Sequence, residues 1–262
     1  MARRNLAGRR VILTGASSGI GWHLALALAK NGCNLVVNAR RGSRLESLAK
    51  QIEEIGARSF VVIGDVSDEN VRRQIAESAV NNLGGIDILI NCAGIGAVGP
   101  FSQAEPRRLR QIFEVNFFSA VELIRRALPA LKIGTSPLIV NVGSVLGHRA
   151  VPSKSEYCAS KFALHGFTDA LRAELVADGV DVLLVSPSTT DSEFFDSLIE
   201  DQTAVDHKGK RPMNPELVAR QIIRAMQSGK HEIILSFGGR ALVWLDRLFP
   251  TLTNRLMARY KA

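Results

Sequence analysis

A tyrosine and a lysine spaced four residues apart are the residues of this sequence best suited to catalysis. Tyr157 and Lys161 lie near the start of a helix predicted over about 155–178, so their side chains share one helix face. An ammonium beside a phenol favours the phenolate and lowers the pKa of the tyrosine. Such a phenol donates a proton to a carbonyl, or accepts one from an alcohol, near neutral pH. Because Tyr–Lys pairs at this spacing are usually surface decoration, the pair needs further support.

Two more polar residues stand where such a pair would need them. Ser144 follows an apolar strand predicted at 137–142, and its hydroxyl would hold a carbonyl oxygen, although a serine at a strand end is usually a cap. Asn116 lies inside a helix predicted over 106–130, where asparagine is a poor helix former and a buried amide needs a backbone or water partner. His148 is more typical of a surface or pocket wall than of a second base. The case for catalysis is that one sheet edge would gather these residues.

The elements that would position them begin with a glycine-rich turn at 14–21, between an apolar run and a helix. Gly15 permits a sharp turn, while Gly19 and Gly21 leave room for a ligand or for close packing. The free N–H groups at the helix start suit a pyrophosphate. A turn without a ligand is one alternative, and a membrane segment over 11–29 is another that the central glycines and serines argue against. The candidate cofactor contacts here are Gly15, Ser17, Ser18, Gly19, Ile20 and Gly21.

The end of the second strand indicates which dinucleotide would bind. An Asp or Glu about 20 residues past the glycine turn would hold a ribose 2′-hydroxyl. This chain has Ala39 there, followed by Arg40 and Arg41, with Arg44 nearby. Guanidinium groups suit a phosphate in charge and geometry, so we expect NADP(H) rather than NAD. The alternative is a solvated basic loop. Asp65, just past the third strand, would accept the adenine amino group or, equally well, cap a helix.

Strand and helix patterns alternate along the whole chain, which predicts βαβ units. The strands are apolar on both faces, as a sheet covered by helices requires. We therefore predict an α/β fold: one doubly wound Rossmann-type parallel sheet of about seven strands in the order 3-2-1-4-5-6-7, with helices on both faces and a single domain over 1–262. Besides those above, the predicted strands are 34–39, 59–64, 86–91, 180–186 and 232–235, and the predicted helices are 43–56, 67 or 68 to about 83, and 215–228.

Composition and charge limit the functional classes. The 262 residues are 46% hydrophobic, enough for a large core, and the net charge is +8. Residues 1–10 hold four arginines and no acid, and residues 240–262 hold five basic residues against one acid, so +4 lies at each end and the middle sums to zero. Nucleic-acid binders more often spread basic residues over a folded face. The scattered Cys33, Cys92 and Cys158 favour a reducing, cytoplasmic location without a disulfide framework or a metal site.

In combination, these motifs resemble the short-chain dehydrogenases/reductases of the classical type, over residues about 8–236. The family's TGxxxGxG turn corresponds to 14–21, and its NNAG motif to Asn91–Gly94 with Cys92 in place of an asparagine. After the sixth strand, Ser188 replaces a glycine that is usual in the family. If that position needed a positive φ, the change would cost ~1 kcal/mol.

The resemblance implies a role for each site residue. Tyr157 would be the general acid/base, Ser144 would orient the substrate oxygen, and Asn116 would support a proton-relay water. Lys161 would bind the nicotinamide ribose and tune Tyr157, and Arg40 would select NADP. Further implied or expected cofactor contacts are Arg41, Asp65, Val66, Asn91, Ala93, Gly94, Pro187, Thr190 and Ser192, beside Tyr157 and Lys161 themselves.

We therefore expect an NADP(H)-dependent oxidoreductase that interconverts a carbonyl and an alcohol, in a homodimer or homotetramer. Residues 187–212 form a predicted lid, in which Phe194, Phe195, Leu198 and Ile199 indicate either an apolar substrate or packing of the lid on its own body. A 3-ketoacyl-carrier reductase of the same family and a non-catalytic nucleotide-sensing protein with this fold are the alternatives.

The C-terminal extension at about 238–262 is basic and amphipathic. Leu245, Leu248, Phe249, Leu252, Leu256 and Tyr260 would share one helical face, with Arg247, Arg255 and Arg259 off it and a break at Pro250. This face would pack on the subunit's own core, form a homo-oligomer interface, or contact a membrane peripherally. The segment is too short and too charged to span a bilayer.

Overall fold

Seven parallel strands form one sheet in the order β3-β2-β1-β4-β5-β6-β7. The computed structural model describes residues 4–194, 198–201 and 212–259. Every neighbouring pair of strands is parallel, which confirms the predicted doubly wound sheet and its strand order. The strands are β1 (Arg10–Thr14), β2 (Asn34–Ala39), β3 (Ser59–Ile63), β4 (Ile88–Asn91), β5 (Leu138–Val142), β6 (Asp181–Ser186) and β7 (Glu232–Ile234).

Helices cover both faces of this sheet. They are α1 (Gly19–Lys30), α2 (Gly42–Glu54), α3 (Glu69–Ser78), α4 (Pro106–Phe113), α5 (Ser119–Lys132), α6 (Ser155–Glu174), α7 (Pro215–Gln227), α8 (Phe237–Leu248) and α9 (Pro250–Ala258). Helices α1, α2 and α7 pack on one set of strand residues, such as Val11 and Leu13. Helices α3, α5 and α6 pack on the alternate set, such as Ile12 and Leu89. Strand side chains alternate between faces, so a doubly covered sheet needs apolar residues at nearly every position.

The structure corrects two of the predicted helices. The helix predicted over 106–130 is divided by a π-helical turn at Glu114–Phe118, and Asn116 lies in that turn. The amide of Asn116 bonds the backbone of Ile95 in another segment, a contact that spacing along one helix does not show. Helix α2 begins at Gly42, one residue before the predicted start, and ends at Glu54, with Arg41 as its N-cap residue.

The C-terminal helices do not bury the apolar face that the sequence predicts. Leu248, Phe249, Leu252 and Leu256 are exposed. The buried residues of α8 and α9 include Val243 and Thr253 instead. Of the three alternatives for this face, packing on the subunit's own core is therefore not observed for these four residues, while Leu245 is half-buried. Pro250 stands in the first turn of α9 and confirms the predicted break, whereas Tyr260 lies outside the described residues. Within the described ranges, no helix combines the length and apolar character needed to cross a membrane.

The sheet brings the candidate site together because parallel strands end at a common edge. Gly15 follows β1, Arg40 follows β2, and Ala93 comes two residues after β4. Ser144 comes two residues after β5, and Pro187 follows β6 directly. Residues far apart in the chain are thus neighbours at one edge, as the sequence predicts.

Candidate active site

The glycine-rich turn after β1 is locked to the turn after β4. Gly15 has φ +70°, and a Cβ there would lie 2.8 Å from the backbone of Ala93. A Cβ on Gly21 would lie 2.1 Å from the carbonyl oxygen of Gly15, so both positions require glycine. The Thr14 hydroxyl oxygen accepts hydrogen bonds from the backbone N–H groups of Cys92 at 3.1 Å and Ala93 at 3.2 Å. These contacts leave a close-packed cradle of backbone at the start of α1, where N–H groups favour an anion.

Three arginines gather beside this cradle, but they differ in their partners. Arg41 and Arg44 both bond the carboxylate of Glu193, Arg44 at 2.8 Å, and Arg41 also donates to the Ser17 hydroxyl at 3.2 Å. The hydrogen bond from Arg41 holds the pKa of Glu193 below its usual range. Arg40 is largely exposed and lies 3.9 Å from Asp65. Arg40 is therefore the least engaged of the three guanidinium groups.

Asp65 supports the turn that leads to α3. One of its carboxylate oxygens accepts from the N–H of Ser67 at 2.9 Å and from the Ser67 hydroxyl at 2.7 Å. The helix cap itself is Asp68, which accepts from the N–H of Asn70. Asp65 and Val66 both line the cavity described below. Asp65 therefore stabilises this turn and also faces the cavity.

The predicted catalytic side chains meet at the carboxyl edge of β5. Tyr157 and Ser144 both line the cavity, and the Ser144 hydroxyl oxygen accepts from the N–H of Leu146 at 3.1 Å. The Lys161 ammonium donates to the carbonyl of Val142 at 3.0 Å and lies 5.8 Å from the centroid of the Tyr157 ring. Lys161 is 5% exposed, so its charge is held at the site and not in solvent. The helix spacing of Tyr157 and Lys161 thus serves a buried site.

Burial changes the proton affinities of this pair. Desolvation raises the pKa of Tyr157 to about 12, although the hydrogen bond with Ser144 opposes that shift. Desolvation also lowers the pKa of Lys161 to about 8. The pKa of Tyr157 is therefore raised, whereas the sequence-based expectation was a lowered value, and the main cause is loss of solvent around the phenol.

Two predicted site residues lie behind the cavity wall. Asn116 accepts from the N–H of Ile95 at 2.8 Å and donates to the carbonyl of Ile95 and the hydroxyl of Ser160, both at 3.0 Å. Asn91 donates to the side chain of Asn141 at 2.9 Å across the β4–β5 pair. Both asparagines hold neighbouring strands and loops in place, and neither lines the cavity.

A cavity of about 560 Å³ connects the cradle to the half-buried Tyr157. It extends beyond the predicted residues to others that spacing did not indicate, including Gly96, Val98, Val151, Lys154, Leu242 and Met257. The last two come from α8 and α9, which no local motif places near the site. The predicted residues that line it are Gly15, Ser17, Ser18, Gly19, Ile20, Gly21, Arg40, Arg41, Asp65, Val66, Ala93, Gly94, Ser144, Tyr157, Lys161, Pro187, Thr190 and Ser192.

Part of the predicted lid closes one side of this cavity. The ring of Phe194 packs edge-on against Tyr157, with centroids 5.8 Å apart. The N–H of Ile199 donates to the carbonyl of Gly96 at 3.0 Å, and the N–H of Val98 donates to the carbonyl of Glu200 at 2.9 Å. Phe194 and Leu198 line the cavity, while Phe195 and most of 187–212 beyond Asp201 lie outside the described residues.

Arg108 is a buried residue beside the site that sequence analysis missed. It is 2% exposed and donates two hydrogen bonds to one carboxylate oxygen of Glu156, at 2.9 and 2.6 Å. Its third nitrogen lies 3.3 Å from a carboxylate oxygen of Glu200 in the lid. Burial would raise the pKa of Glu156, but bonds from Ser155 and Arg108 hold that pKa below its usual range. Because Glu156 precedes Tyr157, this cluster joins α4, the catalytic helix and the lid.

Ser188 fits its position without the strain considered from the sequence. Ser136 and Ser153 are the non-glycine residues with positive φ in the described part of the chain, so Ser188 is not in the left-handed region. Its hydroxyl forms a short hydrogen bond with Ser236, and Ser236 also accepts from the N–H of Gly239 at 2.9 Å. The loop after β6 is therefore tied to the start of α8.

His148 does not line the cavity, and its buried ring bonds the Ser186 hydroxyl at 2.8 Å. It forms the one group of potential metal ligands among the described residues, together with His165 and Glu232. Each already has a protein partner: His165 contacts the carbonyl of Gly147 at 3.2 Å, and Glu232 lies 3.4 Å from His148. The cluster ties α6 to β7 and is separate from the reacting groups.

The doubly wound sheet carries this cavity at the carboxyl ends of its strands, the usual ligand position in folds of this class, and comparison with known proteins identifies the family. A family model described as short chain dehydrogenase matches residues 9–203, more than half of the chain. The chain therefore belongs to the short-chain dehydrogenase family. The three relatives described next match 96% to 98% of this chain, so their similarity extends to the C-terminal helices.

Three similarities illustrate the range of the relatives. An uncharacterized oxidoreductase, YxnA of Bacillus subtilis, is 32% identical over 98% of this chain and 73% of its own length. The ketoacyl reductase HetN of Nostoc is 32% identical over 96% of this chain and 88% of its own length. A dehydrogenase/reductase SDR family protein 7-like of Anopheles gambiae is 33% identical over 98% of this chain and 84% of its own length.

Solved structures support the fold and a nicotinamide dinucleotide cofactor. A Burkholderia cenocepacia short chain dehydrogenase in complex with NADP has a TM-score of 0.81 at 25% identity, covering 90% of this chain and 100% of that one. A Burkholderia phymatum short chain dehydrogenase/reductase in complex with NAD has a TM-score of 0.86 at 23% identity, covering 95% and 96%. The second likeness concerns the fold alone, and the pair does not select one dinucleotide.

The Arg108 cluster yields a stability prediction. Arg108→Gln leaves the Glu156 carboxylate buried without its charged partner, so we expect the free energy of unfolding to fall by about 3 kcal/mol. Urea denaturation followed by circular dichroism measures this change. The matched control is Arg107→Gln, since Arg107 is exposed and pairs with Glu105 at the surface; it should change stability by less than about 0.5 kcal/mol.

A second variant separates the charge effect from loss of packing. Arg108→Gln combined with Glu156→Gln removes both charges and should recover part of the lost stability. Equal stability of Arg108→Gln and Arg107→Gln would contradict the role assigned to this cluster.

Proposed function

We propose that this protein is an NADP(H)-dependent oxidoreductase that interconverts a carbonyl and an alcohol, with Tyr157 as the general acid and base. The observation that carries the proposal is that one cavity contains both the glycine cradle and the Ser144–Tyr157–Lys161 group. The same cavity thus joins a site for an anion to a proton donor. Its family membership supports an oxidoreductase, and its own residues support the reaction type.

The residues at the cradle fit a dinucleotide. The backbone around Gly15 and Gly21 leaves space that a Cβ would fill, and the start of α1 offers N–H groups to the diphosphate. Lys161 would hold the nicotinamide ribose, and Pro187, Thr190 and Ser192 would hold the carboxamide side. When bound, the nicotinamide would supply or accept the hydride.

The chain's own residues then handle the proton. Because burial raises the pKa of Tyr157 to about 12, its phenol keeps its proton at neutral pH. In carbonyl reduction, the carbonyl carbon of the substrate accepts the hydride and becomes the alcohol carbon. The carbonyl oxygen accepts the proton of Tyr157. The Ser144 hydroxyl would hold that oxygen, and the ammonium of Lys161 favours the phenolate that remains. In alcohol oxidation the same phenolate takes the proton back.

The arginines beside the cradle favour NADP over NAD. Arg40 has the least engaged guanidinium and stands directly after β2, where the adenosine ribose would lie. Glu193 bonds Arg41 and Arg44, so a 2′-phosphate would compete with a carboxylate for these two groups. The phosphate carries more charge and more acceptor oxygens than Glu193, which favours its binding.

An apolar carbonyl or alcohol is the substrate class that the cavity favours. Phe194, Leu198, Leu242 and Met257 provide the wall opposite the cradle. A ketoacyl substrate is the second candidate, because a relative with 32% identity over 96% of the chain is named a ketoacyl reductase. A nucleotide sensor without catalysis is disfavoured because Tyr157 and Lys161 are both present and both line the cavity.

Location and assembly are part of the same proposal. The free thiols of Cys33, Cys92 and Cys158 favour a reducing compartment, which supports a cytoplasmic protein.

Exposed apolar side chains at Phe101 and Phe118, which are 71% and 47% exposed, support a homodimer or homotetramer formed beside α4 and α5. Light scattering with size-exclusion chromatography measures the assembly.

Removal of the phenol hydroxyl tests the proposed function directly. Tyr157→Phe should lower kcat about 10²- to 10⁴-fold, because it removes the proton donor. NADPH oxidation against ketones, aldehydes, quinones and 3-ketoacyl thioesters measures this change, and nucleotide binding should remain within about threefold. The control is Tyr260→Phe, which changes the only other tyrosine of the chain. Wild-type rates in Tyr157→Phe would overturn the mechanism.

The low pKa of Lys161 predicts a pH dependence. An amine is charged below its pKa, so Lys161 carries its charge below about pH 8 and loses it above that value. The kcat/KM for NADPH, which reports groups of the free enzyme, should therefore be constant near neutrality and fall above about pH 8. Lys161→Arg should move this fall beyond the accessible range, because guanidinium groups stay protonated. If kcat/KM of Lys161→Arg still falls at the same pH, the titrating group is not Lys161.

Charge reversal at Arg40 tests the cofactor assignment. Arg40→Asp should raise the Kd for NADPH about 10- to 100-fold, since a charged hydrogen bond is lost and a repulsive charge is added. Binding of NADH should change less than about threefold, as measured by titration of nucleotide fluorescence. Arg58→Asp is the matched control, because Arg58 is exposed and precedes β3 at the opposite edge of the sheet. An equal change in the Kd for NADPH in both variants would show that Arg40 does not select NADPH.

A further inference from the structure

The last two helices present an apolar surface to solvent. We define the tail face as Phe237, Trp244, Leu248, Phe249, Leu252 and Leu256. These side chains are between 44% and 82% exposed, although they come from two successive helices. Single exposed apolar residues are normal, but six within 20 residues are not. This surface needs an occupant.

The same two helices are cationic. Arg240, Arg247, Arg255 and Arg259 are exposed and form no ion pair with any described residue. The guanidinium of Arg247 lies 5.9 Å from the centroid of the Trp244 ring. Within 237–259 the one acidic residue is Asp246, and Arg149 already bonds it at 2.9 Å. The tail face is therefore both apolar and uncompensated in charge.

The other side of these helices fixes them to the body of the protein. Val243 and Thr253 are buried, while Leu242 and Met257 line the cavity. The Arg149–Asp246 pair and the Ser188–Ser236 hydrogen bond join α8 to the loops after β5 and β6. The inward side is thus satisfied by the protein, which leaves the tail face as an outward docking surface.

We propose that the tail face docks on a membrane surface that contains anionic phospholipid. Tryptophan, phenylalanine and leucine side chains enter the boundary between headgroups and acyl chains, while arginines remain at the anionic headgroups. This combination of one apolar face and several unpaired arginines matches such a surface in both chemistry and charge. Docking of this kind leaves the helices parallel to the membrane and requires no spanning segment.

A second copy of the chain fits this surface less well. A two-fold interface places the same patch on both subunits in contact. Four arginines of one subunit would then face four arginines of the other, and like charges across an interface oppose association. The absence of unpaired acidic groups on α8 and α9 leaves no partner for them within the described residues. The charge pattern therefore favours lipid over self-association.

Vesicle sedimentation tests the proposal without nucleotide or substrate, so its result is independent of the proposed enzyme activity. We expect the full chain to bind vesicles containing one third phosphatidylglycerol at least about tenfold more tightly than phosphatidylcholine vesicles. Added salt should weaken this binding, because it screens the arginine–phosphate attraction. No binding to the anionic vesicles would overturn the proposal.

Two sets of variants assign the binding to the tail face. Leu248→Glu with Leu252→Glu should reduce anionic vesicle binding at least about tenfold, and Arg247→Gln with Arg255→Gln should remove most of its salt dependence. Matched controls are Ile133→Glu, which changes an 87% exposed apolar residue outside the tail, and Arg107→Gln. These controls should bind as the wild type does. Equal loss in a control and in the tail variants would overturn the assignment.

Tryptophan fluorescence gives a second readout for variants that fold poorly. The chain has two tryptophans, and Trp22 lies under the Arg44 guanidinium at 4.9 Å. In Trp22→Phe, the remaining Trp244 is 58% exposed, and its emission should shift to the blue with anionic vesicles. No shift would count against docking. A dimer in lipid-free solution that Leu248→Glu dissociates would also overturn the proposal, because a second copy would then cover the face.

Discussion

The site depends on the close contact between the turns that follow β1 and β4. The Thr14 hydroxyl accepts two N–H groups of the second turn, and the lack of a side chain at Gly15 lets the backbones meet. One residue further, a Cβ on Gly94 would lie 3.3 Å from Asn116 and 3.7 Å from the Lys161 ammonium. The cradle for an anion and the buried cation are therefore fixed relative to each other through a few atoms of backbone. A larger residue at Gly15 or Gly94 would push the glycine-rich turn and Lys161 apart.

Burial of charge is the second constraint, and the structure meets it differently at two places. Arg108 and Glu156 neutralise each other inside the protein, at distances that only a paired geometry permits. Lys161 forms no ion pair with a carboxylate in the described part of the chain; it donates to the Val142 carbonyl, and burial lowers its pKa to about 8. A buried ammonium with a depressed pKa is a common feature of reacting groups, whereas a compensated pair is a structural one. Glu156 and Lys161 lie on successive turns of α6, so the Arg108–Glu156 pair anchors the helix that carries Tyr157 and Lys161.

Local patterns predicted the sheet well, since alternating apolar strands and helices at these lengths have few other solutions. The glycine turn, Ser144, Tyr157 and Lys161 were also predicted, because each stands at a strand end or at a helix spacing. Side-chain partners that are distant in sequence were not predicted. Asn91 and Asn116 turn towards Asn141 and Ile95, and Glu193 reaches Arg41 from 152 residues away. The pKa of Tyr157 depends on desolvation by the whole fold, which no neighbour at i+4 reveals. Cofactor preference and substrate remain proposals for the same reason, since relatives of this family bind either dinucleotide.

The two C-terminal helices line the cavity with one side and expose apolar residues on the other. A helix of three turns that lies on a protein surface has one side for the body and one for solvent. In α8 and α9 the side towards the body is narrow, because small or short residues such as Gly239 and Thr253 let the helices sit close to the loops of the site. Leu242 and Met257 extend from that side into the cavity, while the wider apolar side is exposed. The roof of the cavity and the outward surface are thus opposite sides of the same two helices.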